Sequence, residues 1–163
     1  MQALRRLMQE YKELTTNPVE GIAAGPINEE NFFEWEAFIQ GPEGTPYENG
    51  LFRATFSFPR DYPLSPPVMR FSTPMYHPNI YPDGRVCISI LHAPGDDPNG
   101  YELSSERWSP VQSVEKILIS VLSMMAEPNV ESPANVDAAK MYRTDRAAYA
   151  QHVLRTVRSS LSL

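Results

Sequence analysis

The sequence predicts an α+β domain: an N-terminal helix, a small antiparallel sheet, a long segment without regular structure, then helices packed against the sheet. Three observations carry this. Apolar residues recur at helical spacing near both ends. They alternate with a period of two over 32–39 and 51–58. The 16 prolines cluster around 59–82 and 94–133 and spare both ends, so the middle is built of turns and loops and the ends are free to be helical.

Taken in order, residues 3–14 read as a helix, with Leu4, Leu7, Met8, Tyr11 and Leu14 on one apolar stripe. Arg5, Arg6, Gln9, Glu10 and Lys12 occupy its other faces, and Asn17-Pro18 ends it, because a residue before proline avoids the helical region. Residues 21–27 form a short strand. In 32–39, Phe33, Trp35, Ala37 and Ile39 face one way and Phe32, Glu34, Glu36 and Phe38 the other. After the turn cluster 41–46, Phe52, Ala54, Phe56 and Phe58 oppose Leu51, Arg53, Thr55 and Ser57. With a fourth strand at 68–72, the short turns imply an antiparallel meander with one buried face. Residues 73–110 show no periodicity, and a stretch of that kind inside a compact domain is usually functional. Val111, Val114, Ile117, Leu118, Val121, Leu122 and Met125 then mark a central core helix, stopped at Glu127-Pro128-Asn129. Helices at 135–142 and 145–160 follow, the last with Tyr149, Val153 and Val157 at four-residue intervals. There is no internal repeat or linker, so residues 1–163 are expected to form one domain.

Composition narrows the function. The chain has 42% hydrophobic and 21% charged residues, as soluble globular proteins do. A net charge of −6 argues against nucleic acid as the main partner. The charged, amphipathic start is not a secretory signal, and no apolar run has the length of a membrane span. The expectation is a cytosolic or nuclear protein that inserts into no membrane and reaches one only through partners.

Cys87 is the only cysteine. It can make no internal disulfide and no thiolate zinc site, so it is a buried small hydrophobe or a nucleophile. Only the thiolate attacks well, and hydrolytic cysteine enzymes usually keep a histidine beside the sulfur. His77 is the obvious candidate; the alternative is a structural ring bonded to backbone in a proline-stiffened loop. Asn79 can donate its amide to a developing oxyanion, or bond backbone as loop asparagines do.

The run His77-Pro78-Asn79 followed by Gly84-Arg85-Val86-Cys87-Ile88 resembles the active-site signature of ubiquitin-conjugating enzymes. Phe58 to Pro67 resembles that family's proline-rich loop, Trp108-Ser109-Pro110 its loop before the central helix, and Glu127-Pro128-Asn129 the end of that helix. The resemblance spans essentially the whole chain. It implies the fold of that family, with a four-stranded meander, a long active-site segment, a central helix and two C-terminal helices. It also implies that Cys87 accepts the C-terminal carboxyl of ubiquitin as a thioester from an activating enzyme and passes it to lysines of substrates or of ubiquitin. Asn79 then supports the oxyanion or the local loop, and His77 is mainly structural. A thioester is activated towards amines, so no strong base is expected beside the sulfur. Ligases of the RING type would dock on Arg5, Arg6 and Gln9, on Pro63 and Leu64, and on Ser109 and Pro110. No cofactor is expected, since ATP is used by the activating enzyme and no phosphate-cradling motif occurs here.

An inserted stretch after the cysteine, with His92, Asp96, Asp97, Glu102 and Glu106, is similar to that of the family's G-type members. The resemblance implies a role in protein quality control at the endoplasmic reticulum, in a cytoplasmic protein recruited to that membrane by a partner. Asp96 and Asp97 would position or deprotonate the incoming lysine, or serve only as a solvated acidic loop. Ser132, with Glu131 beside it, stands where many members carry an acidic residue. Tyr76 and Tyr81 either shape the lysine channel or pack the loop. Competing readings are an inactive scaffold of the same fold, which would lack the cysteine; a cysteine hydrolase using His77 or His92, for which no protease signature occurs; and a metal site of His77, Cys87 and His92, which lacks ligand spacing and a fourth ligand.

Overall fold

A computed structural model describes residues 2–93 and 105–162. Helix α1 spans Gln2–Thr16; strands β1 (Ile22–Asn28), β2 (Asn31–Gln40), β3 (Leu51–Ser57) and β4 (Val68–Phe71) follow; then come α2 (Val114–Ala126), α3 (Val136–Thr144) and α4 (Arg146–Ser160). The strands form one antiparallel sheet in the order β1-β2-β3-β4. Trp35 stands opposite Phe56, Ala37 opposite Ala54, and Ala54 opposite Phe71, so the apolar residues of each strand share one face. That face and the buried side of α2 make the core, as the period-two pattern predicts.

Two expectations are corrected. Val111 is not part of the central helix. The chain turns at Ser109 to Gln112, Ser113 caps α2 by accepting from the Lys116 amide, and Val111 is 76% exposed. In α1 the buried positions are Ala3, Leu7, Glu10 and Leu14, while Met8 is exposed. The helix therefore turns a carboxylate inward where the sequence pattern places it outside.

The long irregular segment is anchored to the sheet edge. Arg85 forms a bridge with Arg70 of β4, and Val86 with Ile80. Gly84 makes the reversal possible at φ +97°, where a side-chain carbon would also collide with the Phe71 carbonyl. Cys87 follows directly.

Candidate functional site

Cys87 is half-buried at the rim of this segment, and its amide donates to the Asn79 carbonyl at 2.9 Å. Beneath it lies a neutral clamp. His77 is fully buried. Its Nδ1 accepts from the Asn79 amide at 2.9 Å and its Nε2 stands 2.8 Å from the Met124 carbonyl, which makes Nε2 the protonated nitrogen. Burial pushes its pKa down to about 4, against the opposing pull of the Met124 carbonyl. A ring held at both nitrogens does not reach the sulfur, so His77 is not a base for Cys87. Asn79 is buried too. Its Nδ2 donates to the Asn129 carbonyl at 2.8 Å, and its Oδ1 accepts from the Asn129 amide at 2.9 Å. The loop beyond α2 is tied further by the Ala134 and Asn135 amides, which both donate to Pro78 O. Glu131 and Ser132 are exposed on this loop.

A histidine other than His77 does approach the sulfur. A 3-10 turn, Ser89–Leu91, folds the chain back and brings His92 Nε2 to 3.6 Å from Cys87 Sγ. The Tyr81 hydroxyl also reaches this sulfur, and its pKa is pushed up first by the charge of Cys87 and then by burial. Tyr81 therefore faces the Cys87 sulfur. Tyr76 does not: it stacks on His152 at 4.7 Å and donates to Met141 Sδ, packing the loop onto α3 and α4. Past the cysteine, Ile88, Ser89 and Ile90 border a groove of about 410 Å³ whose other wall is Gln112, Lys116, Ile119 and Ser120. Asp96, Asp97 and Glu102 lie outside the described residues.

The elements that carry the expected ligase residues are bonded to one another. Arg5 and Gln9 are exposed on α1, Leu64 is 67% exposed, Pro110 is exposed, and Pro63 and Ser109 are half-buried. Val111, which the helical pattern hid, is exposed in the turn that follows Ser109 and Pro110. Arg6 is turned inward instead: its Nη2 donates to the Gln112 carbonyl at 2.6 Å and its Nε to Glu10 at 2.9 Å. Glu10 also accepts from the Tyr62 hydroxyl at 2.5 Å and from the Val114 amide at 2.7 Å. The Trp108 indole donates to Pro63 O at 2.8 Å. These bonds join α1, the loop at 59–64 and the start of α2. The Tyr62 hydroxyl is held protonated by burial and by the neighbouring carboxylate.

Comparison with known proteins agrees with this geometry. A family model described as ubiquitin-conjugating enzyme matches residues 6–157. A human protein named ubiquitin-conjugating enzyme E2 G2 is 71% identical over 161 residues, which cover 99% of this chain and 98% of that protein. A Schizosaccharomyces pombe protein named ubiquitin-conjugating enzyme E2-18 kDa is 66% identical, covering 99% and 97%. Ubiquitin-conjugating enzyme E2 13 of Arabidopsis thaliana is 55% identical, covering 98% and 96%.

Proposed function

Because the chain belongs to the ubiquitin-conjugating enzyme family, we propose that Cys87 is the thioester nucleophile, with the surrounding residues in distinct supporting roles. The chain is a ubiquitin-conjugating acyltransferase. It takes ubiquitin from an activating enzyme and transfers it with a ligase. The observation that carries the assignment to Cys87 is its position: the only cysteine of the chain, half-buried, with its amide bonded to the Asn79 carbonyl and directly followed by the residues that border the groove at Ile88 to Ile90. Cys87 Sγ attacks the incoming thioester carbonyl, the acyl group moves to sulfur, and a lysine amine later displaces it. Asn79 holds the loop beside the reacting carbonyl, and its backbone carbonyl accepts from the Cys87 amide. His77 supports Asn79 and stays neutral.

The ligase is of the RING type and docks on Arg5, Gln9, Pro63, Leu64, Ser109, Pro110 and Val111. Arg6 serves from beneath by holding Gln112. Asp96 and Asp97 meet the incoming lysine. The setting is quality control at the endoplasmic reticulum, with a partner supplying membrane contact; among the described residues no helix is long and apolar enough to cross a membrane. ATP is consumed by the activating enzyme and none binds here. The test mixes the protein with activating enzyme, ATP and ubiquitin and compares gels with and without reductant. A reductant-sensitive adduct that disappears in Cys87→Ala is expected; absence of any adduct on the wild type overturns the reading.

A further inference from the structure

Before any lysine arrives, Cys87 must be loaded, and for that it must be a thiolate. A thiol of ordinary pKa, about 8.5, is only a few per cent ionised at neutral pH. His92 Nε2 lies 3.6 Å from the sulfur, five residues along the chain. Backbone bonds hold the stretch that carries His92. The His92 amide donates to Ser89 O at 2.9 Å, and the Trp108 amide donates to His92 O at 3.0 Å. The Tyr81 hydroxyl also interacts with the same sulfur. Two polar groups from separate stretches thus converge on one atom.

The geometry points to His92 as a further catalytic residue, acting in loading: its Nε2 takes the Cys87 proton and the resulting imidazolium stands beside the thiolate. This rests on reading the chain as a ubiquitin carrier. In the step, a carbon–sulfur bond forms between Cys87 and the carboxyl carbon of ubiquitin as the carbon–sulfur bond to the activating enzyme breaks. The electron pair leaves on the activating enzyme's sulfur, and the proton held by His92 goes there. Nothing is oxidised or reduced. Once acylated, Cys87 carries no proton, so this role ends with loading and the lysine step falls to other groups.

The pair titrates in a defined field. Tyr81 faces the sulfur, with the Arg85 guanidinium 4.7 Å from the centre of its ring and Asp83 bonded to Arg85. Glu106 and Lys116 line the groove beyond Ile88 and Ile90. Asp96, Asp97 and Glu102 lie outside the described residues.

The test is the rate of alkylation of Cys87 by iodoacetamide across pH, in wild type, His92→Gln and His92→Ala, beside loading by the activating enzyme. The variants should move the midpoint of the alkylation profile up by roughly one pH unit. Near neutral pH the thiolate fraction then falls about tenfold, but the more basic thiolate is about threefold more nucleophilic, so the net rate falls roughly three- to fourfold. Loading should slow most near neutral pH and recover at high pH. A merely structural role would lower amplitudes and leave the midpoint in place. A measurement with His92 intact guards against misfolded variants: by NMR, the His92 ring should titrate at lower pH once Cys87 is alkylated. Equal midpoints, or an unmoved His92 titration, in an enzyme that loads normally overturn the role of His92 alone. A wild type that takes no ubiquitin overturns the underlying reading as well.

Discussion

Two buried polar constructions hold the two working faces, and they differ in kind. Under the ligase face, the Glu10 carboxylate gathers Arg6, the Tyr62 hydroxyl and the Val114 amide. Under Cys87, His77 and Asn79 do a similar job without a charge, bonding the Met124 and Asn129 backbone. A charge can gather several donors from distant parts of the chain onto one centre, but it is costly to bury unless every partner is present. A neutral clamp binds fewer groups and puts no fixed charge beneath the sulfur, where a thiolate and then an oxyanion must form. The charged device thus lies under the proposed docking residues, and the neutral one under the proposed nucleophile.

The sharpest way to break this contrast is Glu10→Ala. Removing one member of a buried ion network strands the others, and the loss should be about 3–5 kcal/mol. Urea unfolding measures it. Below the melting transition the variant should still form the adduct on Cys87, since the clasp touches none of the reacting atoms. A loss within the ordinary surface range of about 0.5 kcal/mol would show that Glu10 is no clasp.

The neutral clamp has its own signature in acid. His77 has a folded pKa of about 4 against a reference near 6.5. Above the reference value both states carry a neutral ring and no stability is at stake. As pH falls from about 6.5 to 4, the unfolded chain takes up a proton that the folded chain refuses, so stability is lost across that window. The full loss approaches about 3 kcal/mol at 1.36 kcal/mol per unit. Unfolding free energies from pH 7 down to 4, compared with His77→Gln, isolate it: the variant should start lower and lack this slope. Parallel curves would mean that the buried ring is protonated without penalty.

Asn79→Ala sits next in size. It leaves the Asn129 amide and carbonyl without their partner, a cost of about 1–3 kcal/mol. The kinetic outcome sharpens the comparison further. Nδ2 carries a second hydrogen, and a donor to the oxyanion is typically worth about 10²–10³ in rate. Lysine discharge from preformed thioester, measured where the variant is folded, should fall by at least that lower factor. A fall no larger than the unfolded fraction would confine Asn79 to holding the loop.

The sequence showed the outline of both faces but not their undersides. The meander was legible because β2 and β3 bury alternate residues, and a period of two survives without knowledge of partners. The buried Glu10 was not, because a carboxylate beside an apolar stripe reads as solvent-facing until Tyr62 and Val114 are known to reach it. Val111 misled for the mirror reason: it continues the spacing of α2, yet Ser113 caps the helix after it. At the site, His77 and Asn79 stood out through their spacing from Cys87. The approach of His92 depends on a 3-10 turn, which has no sequence period of its own.

The smallest effect on stability should accompany the most selective effect on function. Leu64 and Val111 are 67% and 76% exposed, and burial gives neither much to lose on truncation. Leu64→Ala and Val111→Ala should each change unfolding by no more than about 0.5 kcal/mol. Their apolar surface can contribute only when a partner covers it, at about 25 cal/mol per Å² removed from water. Discharge without a ligase should therefore match wild type, while discharge stimulated by a RING-type ligase should require more ligase to reach half its maximum. The charged clasp uses neither side chain and stays intact in both variants, so this pair separates the surface that meets the partner from the framework that presents it. An unchanged ligase requirement in both would move the docking face away from these loops and leave the Glu10 network as a purely structural device.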